Sequence, residues 1–156
     1  MGEWANDVIT LSIALLGAVL GVMNTWNAMN DRRLRIRVTP AHAVMAHGEL
    51  NFSIEAVNFS AFAITLEEAG FIVGNSRGRS PKRIVIPNPT LVDGRSIPVR
   101  LAPRESVSFY FDVREIIATG EPIGKAYIRT ACGVIVRGNS QALEQVRRGE
   151  APWLRR

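Results

Sequence analysis

Few side chains here are of the types that carry chemistry, and their spacing decides little in favour of an active site. The two histidines, His42 and His47, lie five positions apart, the second in a turn-like His47-Gly48-Glu49. A zinc site takes four ligands from His, Cys and carboxylates; no cysteine or carboxylate motif accompanies these two, so no metal is expected. Cys132 follows Thr130-Ala131 and precedes Gly133. A nucleophilic thiol needs a base such as histidine, and none is near in sequence, so Cys132 reads as a small residue in a hairpin. Glu67-Glu68 is an adjacent acidic pair. Neighbours on a strand point to opposite faces, so the pair fits a solvated turn better than acid–base work. Gly74-Asn75-Ser76-Arg77-Gly78-Arg79 is glycine-rich but lacks the Gly-Lys-Ser/Thr ending and the strand-to-helix setting of a phosphate loop. No catalytic residue and no cofactor is expected, and the protein reads as a non-enzyme.

Basic residues carry more information. The chain of 156 residues has 19 Lys and Arg against 14 Asp and Glu, a net charge of +5. All 19 lie beyond Asp31, twelve of them in three clusters: Arg32, Arg33, Arg35 and Arg37; Arg77, Arg79, Lys82 and Arg83; and Arg147, Arg148, Arg155 and Arg156. The second cluster, on a serine-glycine loop, could meet the phosphate of a lipid or nucleic acid. No aromatic residue is interleaved with it, so stacking on nucleic-acid bases has no platform, and specific nucleic acid is not an expected partner. The third surrounds Trp153-Leu154 after an amphipathic helix, a tail able to return to a membrane interface.

The first cluster is explained by what precedes it. Sixteen uncharged residues run from Val8 to Met23, and no charge appears between Asp7 and Asp31. Trp4 and Trp26 bracket the stretch 22 residues apart, about 33 Å of helix, which matches a hydrocarbon core ~30 Å thick with an indole at each edge. A transmembrane helix over about 6–28 is predicted. A buried core helix competes less well, because no polar stripe breaks the apolar surface. A cleaved signal peptide lacks its basic start: the chain opens Met-Gly-Glu-Trp-Ala-Asn-Asp. Basic residues only on the C-terminal flank predict that flank to be cytoplasmic, at a bacterial or host inner membrane. Gly17 and Gly21, with Ala14 and Ala18 beside them, allow close approach of a second helix, from another copy or another protein.

Beyond Arg33 the pattern alternates. Leu34, Ile36 and Val38 define a first strand interrupted or placed at an edge by Pro40. Leu50, Phe52, Ile54 and Ala56 define a second. Ala61–Leu66, with Phe62, Ile64 and Leu66 in phase, is a third, and Ala69–Val73 another after a bend or bulge. Arg83–Ile86, Ile97–Leu101 and Val107–Phe111 follow, then a hairpin of Lys125–Thr130 and Val134–Arg137. Asp112 caps a short helix over Val113–Ala118, and Ser140 caps a last one through Arg148. Seven to nine short strands, with no helix long enough to cross between parallel strands, predict an all-β antiparallel sandwich or barrel. Apolar residues at 47% exclude a disordered chain, and one cysteine excludes a disulfide scaffold.

Residues 50–71, with Asn-Phe-Ser-x-Phe-x-Ile leading to Gly-Phe, resemble the second and third strands of an immunoglobulin-like domain. Leu101-Ala102-Pro103-Arg104-Glu105-Ser106-Val107-Ser108-Phe109 resembles the approach to a later strand, with Arg104 where a turn glycine is expected. The whole chain resembles small uncharacterised bacterial and phage-encoded proteins with one N-terminal membrane helix and a cytoplasmic β-sandwich, a group that supplies no catalytic residue. The resulting expectation is a membrane segment at 1–30, an immunoglobulin-like β-sandwich at 31–139, and a helix with a basic tail at 140–156. Its work would be membrane-tethered binding or assembly, with membrane lipid and a protein as partners. The alternative is a subunit of a larger, phage-type assembly whose apolar helix packs against protein.

Overall fold

The structure is a computed structural model and describes residues 3–44, 51–73 and 82–151. It divides into two compact units, Met1–Leu34 and Arg35–Arg156. The first is a single helix, α1 (Glu3–Asp31), 29 residues and so about 44 Å long. The hydroxyls of Thr10, Ser12 and Thr25 donate to carbonyls one turn back, at 2.8, 2.7 and 2.9 Å, so no side-chain hydroxyl is left seeking water. Every large apolar side chain described on α1 is exposed. One helix is therefore long and apolar enough to span a membrane, and it lies near the N-terminus.

The second unit consists of two antiparallel sheets. One has the order β1 (Ile36–His42), β2 (Phe52–Asn58), β6 (Ser106–Phe111). The other has the order β4 (Lys82–Val85), β3 (Ile64–Val73), β7 (Ile123–Thr130), β8 (Ile135–Gly138), with β5 (Val99–Leu101) also paired to β3. Alternation puts Phe52, Ile54 and Ala56, and likewise Val107, Phe109 and Phe111, on the inner face. Phe71 of β3 lies 6.4 Å from Phe52 and 5.7 Å from Phe111, ring to ring, joining the two sheets. Each such aromatic pair adds about 1 kcal/mol beyond the area it buries. Pro40 sits within β1 without breaking a ladder, because β1 is an edge strand.

Short helices close one end. Asp112 caps α2 (Val113–Ala118), its carboxylate accepting from Arg114 N, and Ser140 caps α3 (Gln141–Arg148), accepting from Leu143 N. With α1 included, helices hold a share of the described residues close to that of the strands, so the chain is not strictly all-β.

The strand readings over residues 61–73 differ most from the sequence pattern. Ala61–Ala63 do not extend β3, and Phe62 is 39% exposed. The buried Asn58 side chain donates to the carbonyls of Phe62 (2.8 Å), Ala102 (3.1 Å) and Leu101 (3.3 Å), and accepts from Ser60 N (2.8 Å). These bonds hold 59–62 as a loop. Nor is Ala69–Val73 a separate strand: β3 is continuous, with a bulge between Leu66 and Glu68. The extra residue shifts the inward phase from Ile64 and Leu66 to Ala69, Phe71 and Val73. Arg104, where the immunoglobulin-like resemblance implies a turn glycine, adopts the left-handed conformation at φ 64°, which costs a non-glycine residue about 1 kcal/mol.

Candidate functional site

The expected site residues fall in separate places. Trp4 and Trp26, both on α1, are each 67% exposed. A Cβ added at Gly17 or Gly21 would meet nothing within 4 Å, so that face of α1 is open to close approach. Arg32 and Arg33 follow the helix and are exposed. Arg35 opens the two-sheet unit, and Arg37 on β1 holds its guanidinium 4.8 Å from the Phe59 ring centroid.

Several members of the other two clusters are matched by this chain's own acids. Lys82 pairs with Glu121 at 2.6 Å, Arg83 with Glu68 at 3.3 Å, and Arg147 with Glu144 at 3.0 Å. These pairs reduce the charge available to an outside anion. Arg77 and Arg79, Arg155 and Arg156, and also His47, Trp153 and Leu154 lie outside the described residues.

Sequence reasoning missed the most connected polar cluster. Glu67-Glu68 is no turn: both lie in β3, at the bulge. Glu68 Oε1 accepts from the Tyr127 hydroxyl and faces Arg83, while Oε2 lies 3.4 Å from Arg129 Nη1. Arg83 also stands 5.7 Å from the Tyr127 ring centroid. Burial pushes the Tyr127 phenol well above its ordinary pKa, and the Glu68 carboxylate pushes it further, so the hydroxyl stays a donor. A carboxylate engaged on both oxygens braces β3, β4 and β7 and makes a poor general base. The available signal was a charged residue inside the apolar run from Leu66 to Val73.

A second network surrounds Asp112, which accepts from Asn51 Nδ2 at 2.7 Å and pairs with Arg114 at 2.7 Å. Asn51 Oδ1 in turn accepts from Val113 N at 2.9 Å. A groove of about 550 Å³ runs beside it, lined in part by Pro87, Thr90, Tyr110 and Asp112.

His42 ends β1, where its Nε2 lies 2.8 Å from Gln145 Oε1 of α3 and its ring meets Phe52 edge-on at 5.6 Å. Cys132 is exposed in the β7–β8 turn, at the opposite end of the domain. Hydrogen bonds from the Thr130 hydroxyl and the Val134 backbone hold its thiol below the ordinary pKa. No group of three His, Cys, Asp or Glu gathers among the described residues.

No protein-family model and no curated protein matches the chain. A solved structure titled "X-ray structure of Northeast Structural Genomics Consortium target SoR45" is similar over 69% of this chain and 82% of its own, at 14% identity and a TM-score of 0.29. A likeness at this level defines no family.

Proposed function

We propose that the chain is a single-pass membrane protein that holds an immunoglobulin-like β-sandwich at the cytoplasmic face of a bacterial or phage-infected inner membrane. There it acts as a non-enzymatic binding or assembly module. The observation that carries this reading is α1: a helix of membrane-spanning length, apolar on all sides, its described large apolar side chains all exposed, with a tryptophan near each end and arginines only after it. Water would oppose such a surface at roughly 25 cal/mol per Å², so lipid or another protein covers it. The arginine asymmetry favours lipid, with the domain inside. The strand order β1-β2-β6 opposite β4-β3-β7-β8 supports the immunoglobulin-like reading, since it follows the A-B-E and C-F-G grouping of that fold. Tethering raises the local concentration of the domain for a membrane-bound partner.

The test is extraction with alkaline carbonate. The full chain is expected to stay with the membrane pellet. A chain beginning at Arg35 is expected in the soluble fraction, with strand signal in circular dichroism. Release of the full chain by carbonate would favour the assembly reading, in which the helix packs against protein.

A further inference from the structure

Four segments meet at one end of the two-sheet unit. The chain enters at Arg35, and the connections 59–63, 102–105 and 131–134 close the same end. Phe59 N donates to Arg35 O at 2.7 Å, Arg104 N to Asn58 O at 2.7 Å, and Ala131 N to Thr65 O at 2.9 Å, fixing these segments as one rim. Outside α1, four of the seven exposed large apolar side chains among the described residues lie here: Phe59, Phe62, Val134 and Ile135. The opposite end is closed by α2 and α3, which bury Val113, Ile116, Leu143 and Val146.

The charge on this rim is mainly positive. Arg35 and Arg37 lie at the entry, Arg37 against the exposed Phe59 ring, and Arg104 is held there in a left-handed conformation that glycine would adopt more easily. Of the acids nearby, Glu105 is tied to Arg95 at 3.1 Å and to Ala102 N at 2.7 Å, and Glu67 is exposed in β3. Exposed aromatic rings interleaved with arginines suit the headgroup–acyl boundary of an anionic bilayer. Covalent linkage bounds how far Arg35 can lie from the end of α1. α1 ends at Asp31 and the second unit begins at Arg35, a reach of at most about 14 Å even when fully extended.

Resting on the membrane-spanning reading of α1, we propose that this rim docks on the anionic phospholipid surface of the membrane α1 crosses. Phe59 and Phe62 enter the headgroup boundary, and Arg37 and Arg104 meet lipid phosphates. Docking fixes which end of the domain faces lipid. It leaves the α2–α3 end and the outer sheet faces for a protein partner.

Hydrogen exchange on the full chain in lipid nanodiscs tests this. Discs of pure phosphatidylcholine are compared with discs rich in phosphatidylglycerol. Each arginine near an anionic surface contributes about a fivefold preference, so exchange over 59–63 and 102–105 should slow by at least about tenfold in the anionic discs. Phe59→Ser with Phe62→Ser, and separately Arg37→Gln with Arg104→Gln, should abolish that slowing; exchange in β2 and β7 should stay unchanged, showing the fold intact. Equal exchange in both discs, from a chain that has entered them, would overturn the docking while leaving the membrane reading in place. A chain that fails to enter either disc would overturn both.

Discussion

At the scale of single residues, Asp112 shows how a local cap and a tertiary network share one carboxylate. Burial raises its pKa, but hydrogen bonds from the Arg114 side chain and backbone and from Asn51 together outweigh burial, and the carboxyl sits below its ordinary value. A lowered folded-state pKa means a stabilisation fully present above the unfolded value, about 4, and lost as pH falls through the folded value. Asp112→Ala should therefore cost about 1–2 kcal/mol at pH 7, the size of a lost cap. The gap between variant and wild type should narrow as pH drops below about 4. Urea denaturation at both pH values measures it; a gap independent of pH would show that the charge is not what stabilises. Tyr127 and Glu68 show the complementary arrangement, a buried phenol donating to a carboxylate that two arginines also hold.

At the scale of elements, much of the order was legible. Period-two runs at Phe52–Ala56 and Val107–Phe111 became β2 and β6, because each has one face in the core. Asp112 and Ser140 became the caps of α2 and α3, because a side-chain oxygen ahead of a helix satisfies an otherwise free N–H. The illegible parts depend on partners distant in sequence. Phe62 keeps the strand phase yet lies in a loop, since Asn58 ties that loop to residues 101–102. Glu68 reads as turn-like until the bulge places it opposite Arg129. The approach of β8 to β1 is likewise invisible in sequence: a Cβ on Gly138 would lie 2.0 Å from Val38 O and 2.7 Å from Val38 C. Gly138→Ala must push backbone against backbone and should destabilise the domain by about 1–3 kcal/mol. Gly133, whose turn is open, offers no such clash. Thermal melts of the Gly138 variant check this, and an unchanged melting temperature would mean that β1 and β8 are not in close contact.

At the scale of the whole molecule, hydropathy and charge divide the chain the same way. The N-terminal unit is apolar and carries no Lys or Arg up to Asp31, while all 19 basic residues lie beyond it. Because basic residues resist transfer across a membrane, that asymmetry carries the orientation argument. The chain also contains its own reporter. Cys132 is the single cysteine, exposed in the β7–β8 turn, with its thiol held below the ordinary pKa, so a maleimide should react readily at neutral pH. The decisive measurement is labelling of Cys132 with a membrane-impermeant maleimide in spheroplasts and in inverted vesicles recovered by flotation. The protein is expected to float with the vesicles and be labelled there, while Cys132 in intact spheroplasts stays unlabelled. Labelling in spheroplasts would contradict the orientation, and protein left at the bottom of the gradient would contradict insertion of α1 in lipid.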